Sequence, residues 1–405
     1  MTPERKYAIP KGSTVLVTGA NGFIGSHVCN ELLQLGFNVR GTVRDVDQCA
    51  WLPKTLESRK PKGEFMLASL PDMEKNGAFD SLVEGELSIH RTHSSSLVLQ
   101  APGVSAVVHV ASPVSFSPNP ESVIPSSIAV ALNALKAANK SSSVKRFVFT
   151  SSSVAAALPK PNKGGIEVTA DSWNTHSVEI AWREAPYHPQ RAWHVYAASK
   201  VEAETAVWRF HYENIRRRYD LVVNTGQPVQ PRCRVIRPVA NDSAVLPGTN
   251  FGQPLDVVNQ GHPSTSSFVE SLWNGTHFDR LASIPPRMLF VSLHLDSLTR
   301  NPEYFVDVQD NARLHVAAAV LPNVQNERIF AWAEPFNFDT ILDILRTQFP
   351  GKGFADNFHN YEELSTAVEP QSRAAELLGQ MGRDGFVPLK QSVLLNVGDS
   401  NVFGP

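Results

Sequence analysis

Tyr196 and Lys200, four residues apart in the run YAASK, offer the plainest chemistry in this chain of 405 residues. On a helix that spacing puts both side chains on one face. A phenol with a pKa of about 10 exchanges protons poorly at neutral pH, and a neighbouring ammonium favours the phenolate, which draws the phenol toward the working range. Thr150, Ser151, Ser152 and Ser153 directly follow the apolar run RFVF. A hydroxyl at the carboxyl end of a buried strand can donate to a substrate oxygen as negative charge develops there. Alone, a Tyr/Lys pair is ordinarily a surface helix and a serine run ordinarily a loop. Together they point to proton transfer at a carbonyl or alcohol oxygen.

A second constellation lies near the start, where Thr18, Gly19, Ala20, Asn21, Gly22, Phe23, Ile24 and Gly25 form a TGxxGxxG turn between an apolar run and a helical pattern. A pyrophosphate needs backbone N–H groups aimed at it, no Cβ in the way and a helix N-terminus supplying partial positive charge. Three glycines in that context meet the need, whereas an isolated glycine pattern would be an ordinary tight turn. Which dinucleotide fits depends on the end of the second strand, read as Val43, Arg44, Asp45. Arg44 there favours the 2′-phosphate of NADP, and the adjacent Asp45 could instead accept from the ribose hydroxyls of NAD.

These residues need a frame, and the sequence alternates short apolar runs with helical patterns in the manner of βαβ units. Strands are expected at Thr14–Thr18, Asn38–Val43, Glu64–Ala68, Ser105–Val110, Arg146–Thr150 and Leu221–Asn224. Helices are expected at Phe23–Leu35, closed by Gly36, and at Val123–Asn139 and Ala192–Arg217. The expected fold class is therefore α/β, a Rossmann doubly wound parallel sheet over residues 1–250. Beyond Phe251 the rhythm gives way to short segments rich in Pro, Asn and aromatic residues. Residues 251–405 then read as a smaller C-terminal substrate-binding lobe, with one segment returning to the sheet.

Composition narrows the classes. Apolar residues make up 42% and charged residues 19%, enough material for a large core and too apolar for a disordered chain. Lys and Arg total 37 against 39 for Asp and Glu, a formal charge of −2 that attracts neither nucleic acid nor a membrane surface. The three cysteines, Cys29, Cys49 and Cys233, cannot build a disulfide framework or a four-ligand zinc site. With neither an apolar leader nor a run of about 18 apolar residues, the expected location is cytoplasmic. No metal is expected.

With these motifs in place, the chain resembles the extended short-chain dehydrogenases/reductases, in particular the dihydroflavonol 4-reductase-like branch of fungal aldehyde reductases and ketoreductases. The stretches carrying the resemblance are VLVTGANGFIGSHV, VRGTVRD, PDMEKNGAFD, VVHVASPV, RFVFTSSS, YAASKVEAE, VLPGTNFG and EYFVDVQDNARLH, spread in family order along nearly the whole chain. The resemblance implies an oxidoreductase that reduces the carbonyl of a small aldehyde or ketone with NADP(H), hydride passing from nicotinamide C4 to the carbonyl carbon. It assigns Tyr196 as proton donor, Lys200 as its pKa partner and Ser152 as the polarising hydroxyl, with Ser151 and Ser153 as alternatives. Cofactor contacts are implied for Gly19, Gly22, Phe23, Ile24, Gly25, Arg44, Tyr196 and Lys200. The resemblance adds Asp72 and Met73 beside the adenine, Val110, Ala111 and Ser112 along the cofactor, and Pro247 near the nicotinamide. Phe116 and Trp193 are assigned to the substrate pocket, although core packing would explain them equally. A monomer or homodimer acting on a small-molecule carbonyl is expected, with no nucleic-acid or membrane partner. Two other readings share parts of the site: an NAD-dependent epimerase or hydroxysteroid dehydrogenase of the same superfamily, and an inactive NADP-binding regulator.

Three segments interrupt the family pattern, 86–103, 226–244 and 287–302, and their removal leaves 352 residues in which the flanking motifs join. They are expected to be translated introns, the alternative being natural surface loops. The second would push Pro247 away from the strand that carries it.

Overall fold

The computed structural model describes residues 6–90, 96–158, 166–214, 216, 218–224, 244–276, 303–358, 366–368 and 371–398. Six parallel strands form the central sheet: β1 (Thr14–Thr18), β2 (Asn38–Val43), β3 (Phe65–Ser69), β4 (Ala106–His109), β5 (Arg146–Phe149) and β6 (Val222–Asn224). Their spatial order, β3-β2-β1-β4-β5-β6, reverses direction between β1 and β4. That is the dinucleotide-binding order, and the reversal opens a crevice at the carboxyl ends of the strands. Thr18 lies level with His109, and His109 with Phe149, so three strands release their chains onto one rim.

Both faces are covered, which is why the inner strands are near-continuous apolar runs. On one side α1 (Phe23–Leu35) packs with α4 (Val308–Val320), burying Val28, Leu32, Val316 and Val320 against Val15 and Val17 of β1. On the other, α2 (Ile124–Lys140) and α3 (Ala192–Glu213) bury Ala134, Ala138, Ala203 and Val207 against Leu16, Val107 and Phe147. Gly36 closes α1 in the left-handed conformation expected of it, at φ 89°. Helix α4 comes from the later part of the chain, and its N-cap Asp307 accepts from the Gln309 N–H.

Beyond the central sheet, β8 (Thr249–Phe251), β9 (Glu303–Asp307) and β11 (Glu334–Phe336) form a three-stranded sheet, and β7 (Val245–Pro247) pairs with β10 (Ile329–Ala331). The core at the three-stranded sheet gathers Phe251, Leu272, Phe305, Phe336, Leu345 and Val393. Among the described residues no helix is long and apolar enough to cross a membrane.

The first two interrupting segments leave the framework in register. Residues Glu86–His90 and Ser96–Gln100 form an antiparallel hairpin whose two ends meet: the Ala101 N–H donates to the Gly85 carbonyl at 2.8 Å and the Val104 N–H to Val83 at 2.9 Å. For the second, Val148 of β5 faces Asn224, and two residues on Thr150 faces Val245. Strands β6 and β7 therefore continue one line beside β5, and the nineteen residues 226–244 are surplus to it. The interior of that segment and all of 287–302 lie outside the described residues, as does Cys233; Cys29 and Cys49 are buried free thiols. A chain lacking 226–244 is expected to fold, with a melting midpoint a few degrees above that of the full chain, because a closed loop of that length costs on the order of 2 kcal/mol. Thermal unfolding of the two chains checks this, and a lower midpoint for the shortened chain would contradict it.

Candidate active site

The glycine turn leaves β1 at its carboxyl end and enters α1, with Gly22 as the N-cap. Two of its glycines, Gly19 and Gly25, have separate steric reasons. Gly19 sits at φ 65° with Ala111 only 3.2 Å from where a Cβ would stand, and a Cβ on Gly25 would come within 2.1 Å of the Gly19 carbonyl oxygen. Helix and turn thus touch backbone to backbone, leaving the first-turn amides of Phe23 and Ile24 without a side-chain cap and the N-terminus ready for an anion. Gln260 clasps the turn from outside by donating to the Asn21 carbonyl at 3.0 Å and to Ser26 Oγ at 3.1 Å.

Thr18 ties this turn to the next strand. Its Oγ1 accepts from the N–H groups of Val110 (3.0 Å) and Ala111 (2.9 Å), so its own proton goes to Nδ1 of His109 at 3.0 Å. His109 is buried and neutral, pushed down to about 3 first by desolvation and then by the Lys200 charge. Ser112, three residues beyond β4, accepts from Lys200 Nζ at 3.0 Å.

Arg44 is exposed immediately after β2. The neighbouring Asp45 carboxylate turns onto its own backbone, accepting from the Asp47 and Gln48 N–H groups at 2.9 and 3.1 Å. Asp72 does the same for Glu74 and Lys75, while Met73 is packed against the core and its carbonyl accepts from Asn133.

Helix α3 delivers Tyr196 and Lys200 to the rim on one face, the ammonium 5.7 Å from the phenol ring centre. The serines divide their roles by direction. Ser152, which opens the short helical turn Ser153–Ala156, hydrogen-bonds the Tyr196 hydroxyl, whereas Ser151 is buried and donates to Glu204 Oε2 at 2.5 Å. Ser153 begins that turn. Burial lifts the Tyr196 phenol above its ordinary value, with the Ser152 hydrogen bond opposing, and burial lowers Lys200 to about 8, with Glu204 opposing. The lowering of the phenol expected from spacing alone gives way to a rise, because burial favours its neutral form. At neutral pH the pair stands as phenol and ammonium.

Phe116 and Trp193 meet at Tyr196. Trp193 stacks on the phenol ring at 5.1 Å between centres and Phe116 tilts over it at 5.2 Å, with Phe116 47% exposed. Pro247 closes β7, paired with Ala331, two residues past Val245, whose carbonyl accepts from the Ser151 N–H. Four participants went unnoticed in the sequence: His109, Gln260, Glu204 and Arg328. Only Glu204 carried a local signal, standing four residues past Lys200 on the same helix face. Among the described residues no group of His, Cys, Asp and Glu could hold a metal ion.

Alanine at Gly25 forces the helix off the turn and is expected to cost about 1–3 kcal/mol, while alanine at Gly22, where the nearest atom would be 3.2 Å away, is expected to be milder. Equal melting midpoints for the two variants would contradict this account of the close approach.

Comparison with known proteins agrees with this architecture. Residues 15–222 match the model of the NAD dependent epimerase/dehydratase family. Aldehyde reductase 2 of Sporidiobolus salmonicolor is 36% identical over 95% of this chain and 95% of its own, and ketoreductase adrE of Penicillium roqueforti is 32% identical over 97% and 98%. The crystal structure of yeast methylglyoxal/isovaleraldehyde reductase Gre2 complexed with NADPH shares the fold, with a TM-score of 0.66 at 22% identity over 96% of this chain and 98% of that one. From its strand order, its glycine turn and these relatives, the chain belongs to the NAD dependent epimerase/dehydratase family, the extended short-chain dehydrogenases/reductases.

Proposed function

We propose that the chain is an NADPH-dependent reductase that converts the carbonyl of a small aldehyde or ketone to an alcohol. The observation that carries the reading is the Tyr196 phenol held by Ser152 on one side and placed beside the Lys200 ammonium on the other, at the rim above the glycine turn. The relatives named as aldehyde reductase and ketoreductase support it.

The residues present fit a dinucleotide. Gly25 and Gly19 form a cradle that any Cβ would fill, the α1 N-terminus faces it, and Arg44 stands free at the end of β2 to meet a 2′-phosphate. Asp45, committed to its own turn, is badly placed to accept from the 2′-hydroxyl of NAD, which favours NADP and weighs against an NAD-dependent epimerase. Gly19, Gly22, Phe23, Ile24 and Gly25 would take the pyrophosphate, Asp72 and Met73 the adenine side, Val110, Ala111 and Ser112 the middle, and Pro247 the nicotinamide end. When bound, NADPH supplies the hydride.

The chain's own part is to bind the carbonyl oxygen and protonate it. Ser152 donates to that oxygen as the C=O electron pair moves onto it, and Tyr196 transfers the phenol proton to complete the alcohol. Lys200 steadies the resulting phenolate until a proton returns. The aromatic wall of Phe116 and Trp193 offers an apolar surface to the substituents of the carbonyl. An inactive regulator would need no such convergence of Ser152, Tyr196 and Lys200.

Tyr196→Phe is expected to lower kcat by about 10²–10⁴-fold while NADPH binding stays measurable by fluorescence; undiminished turnover would remove the phenol from the chemistry. Arg44→Ala is expected to weaken NADPH by about 10- to 100-fold, as for loss of a charge-assisted hydrogen bond, with NADH affinity changed far less. Equal weakening of both cofactors in titrations would show that Arg44 does not read the 2′-phosphate.

A further inference from the structure

Glu204 lies one turn beyond Lys200 on α3, is fully buried, and accepts from three directions within the described residues. Ser151 Oγ donates at 2.5 Å, and Arg328 donates from Nε at 3.0 Å and from its terminal nitrogen at 3.4 Å. Arg328 immediately precedes β10 and is itself pinned, donating to the carbonyls of Ala170 and Ser172 and stacked 4.2 Å over Trp173. One carboxylate thus joins the helix that carries Tyr196 and Lys200, the loop that carries Ser152, and the start of β10. Burying so many polar groups is costly unless each is satisfied, and an apolar residue would fill the site more cheaply if it served packing alone.

We propose that Glu204 is a positioning residue for the proton transfer: held by Arg328, it fixes Ser151 and with it the neighbouring Ser152 opposite Tyr196, and it sets a carboxylate one helical turn from Lys200. This rests on the reductase reading above. Tyr196 and Glu204 face Lys200 from its own helix. His109, neutral, faces it from the end of β4, and Arg328 lies across Glu204. Burial lowers Lys200 and Glu204 raises it, so loss of the carboxylate charge brings deprotonation to lower pH.

The test is the pH dependence of kcat for carbonyl reduction by the full-length protein, in wild type, Glu204→Gln, Glu204→Asp and Ser151→Ala. Wild-type activity is expected to fall as pH rises through about 8, where Lys200 loses its proton. In Glu204→Gln that falling limb is expected about one pH unit lower, with kcat reduced at least tenfold and NADPH affinity within about threefold of wild type. Glu204→Asp, which keeps the charge, restores the limb to its wild-type position. Ser151→Ala, which spares the charge, lowers kcat with the limb in place. A Glu204→Gln limb at the wild-type pH overturns the electrostatic part. Undiminished kcat in Ser151→Ala overturns the positioning part, and this arm stands even if Glu204→Gln does not fold. Full turnover in Tyr196→Phe would instead mean that the reductase reading itself has failed, whatever Glu204 does.

Discussion

A cation buried at the rim of the sheet is the constraint around which this site is arranged. Lys200 is only 6% exposed, and an ammonium taken out of water is tolerated only where oxygen atoms and negative charge replace its hydration. Ser112 supplies one oxygen directly and Glu204 supplies the charge one turn along the helix. His109, which could have added a second positive charge, is kept neutral by its own burial. The site therefore holds one phenol, one ammonium and one carboxylate on successive turns of a single helix.

The sheet topology brings these groups together from distant parts of the chain. Because β1, β4 and β5 are parallel and level, the glycine turn, the Val110–Ser112 segment and the serine loop all leave the sheet on the same side. The Thr18–His109 hydrogen bond, together with the two amides that donate to Thr18, locks the first two of these segments to each other. The Glu204–Arg328 pair, with the Ser151 bond to Glu204, locks the third to α3 and to the start of β10. The cleft is thus stapled at both ends by buried polar contacts, with the apolar core beneath it supplying the bulk of the stability.

The interrupting segments make the same point about register. A parallel strand can be broken and resumed if its partner fixes where each half lies, and β5 does this by pairing with Asn224 through Val148 and with Val245 through Thr150. Val245 accordingly stays beside Thr150 although the second segment precedes it, and Pro247 follows two residues on, paired with Ala331. Pairing across the sheet is stronger than chain continuity along it.

The frame was legible from residue order because its signals are local. Apolar runs closed by glycine marked β1 and α1, and a helix-spaced Tyr and Lys marked the face of α3 that reaches the rim, with boundaries shifted by a few residues. The choice between Ser151 and Ser152 was not local: it depends on which hydroxyl the tertiary structure turns toward Tyr196 and which toward Glu204. Nor could spacing give the protonation of the phenol, since burial raises it and only the folded structure sets how deep it lies. Arg328 and Gln260 reach the site from the far end of the chain, so nothing near them in sequence announced the contact. By itself the sequence determined the βαβ frame and the residue types at its rim, because periodicity and turn chemistry act over a few residues. The tertiary structure alone decided which hydroxyl and which charge meet at Tyr196, because desolvation and long-range pairing exist only once the chain has folded.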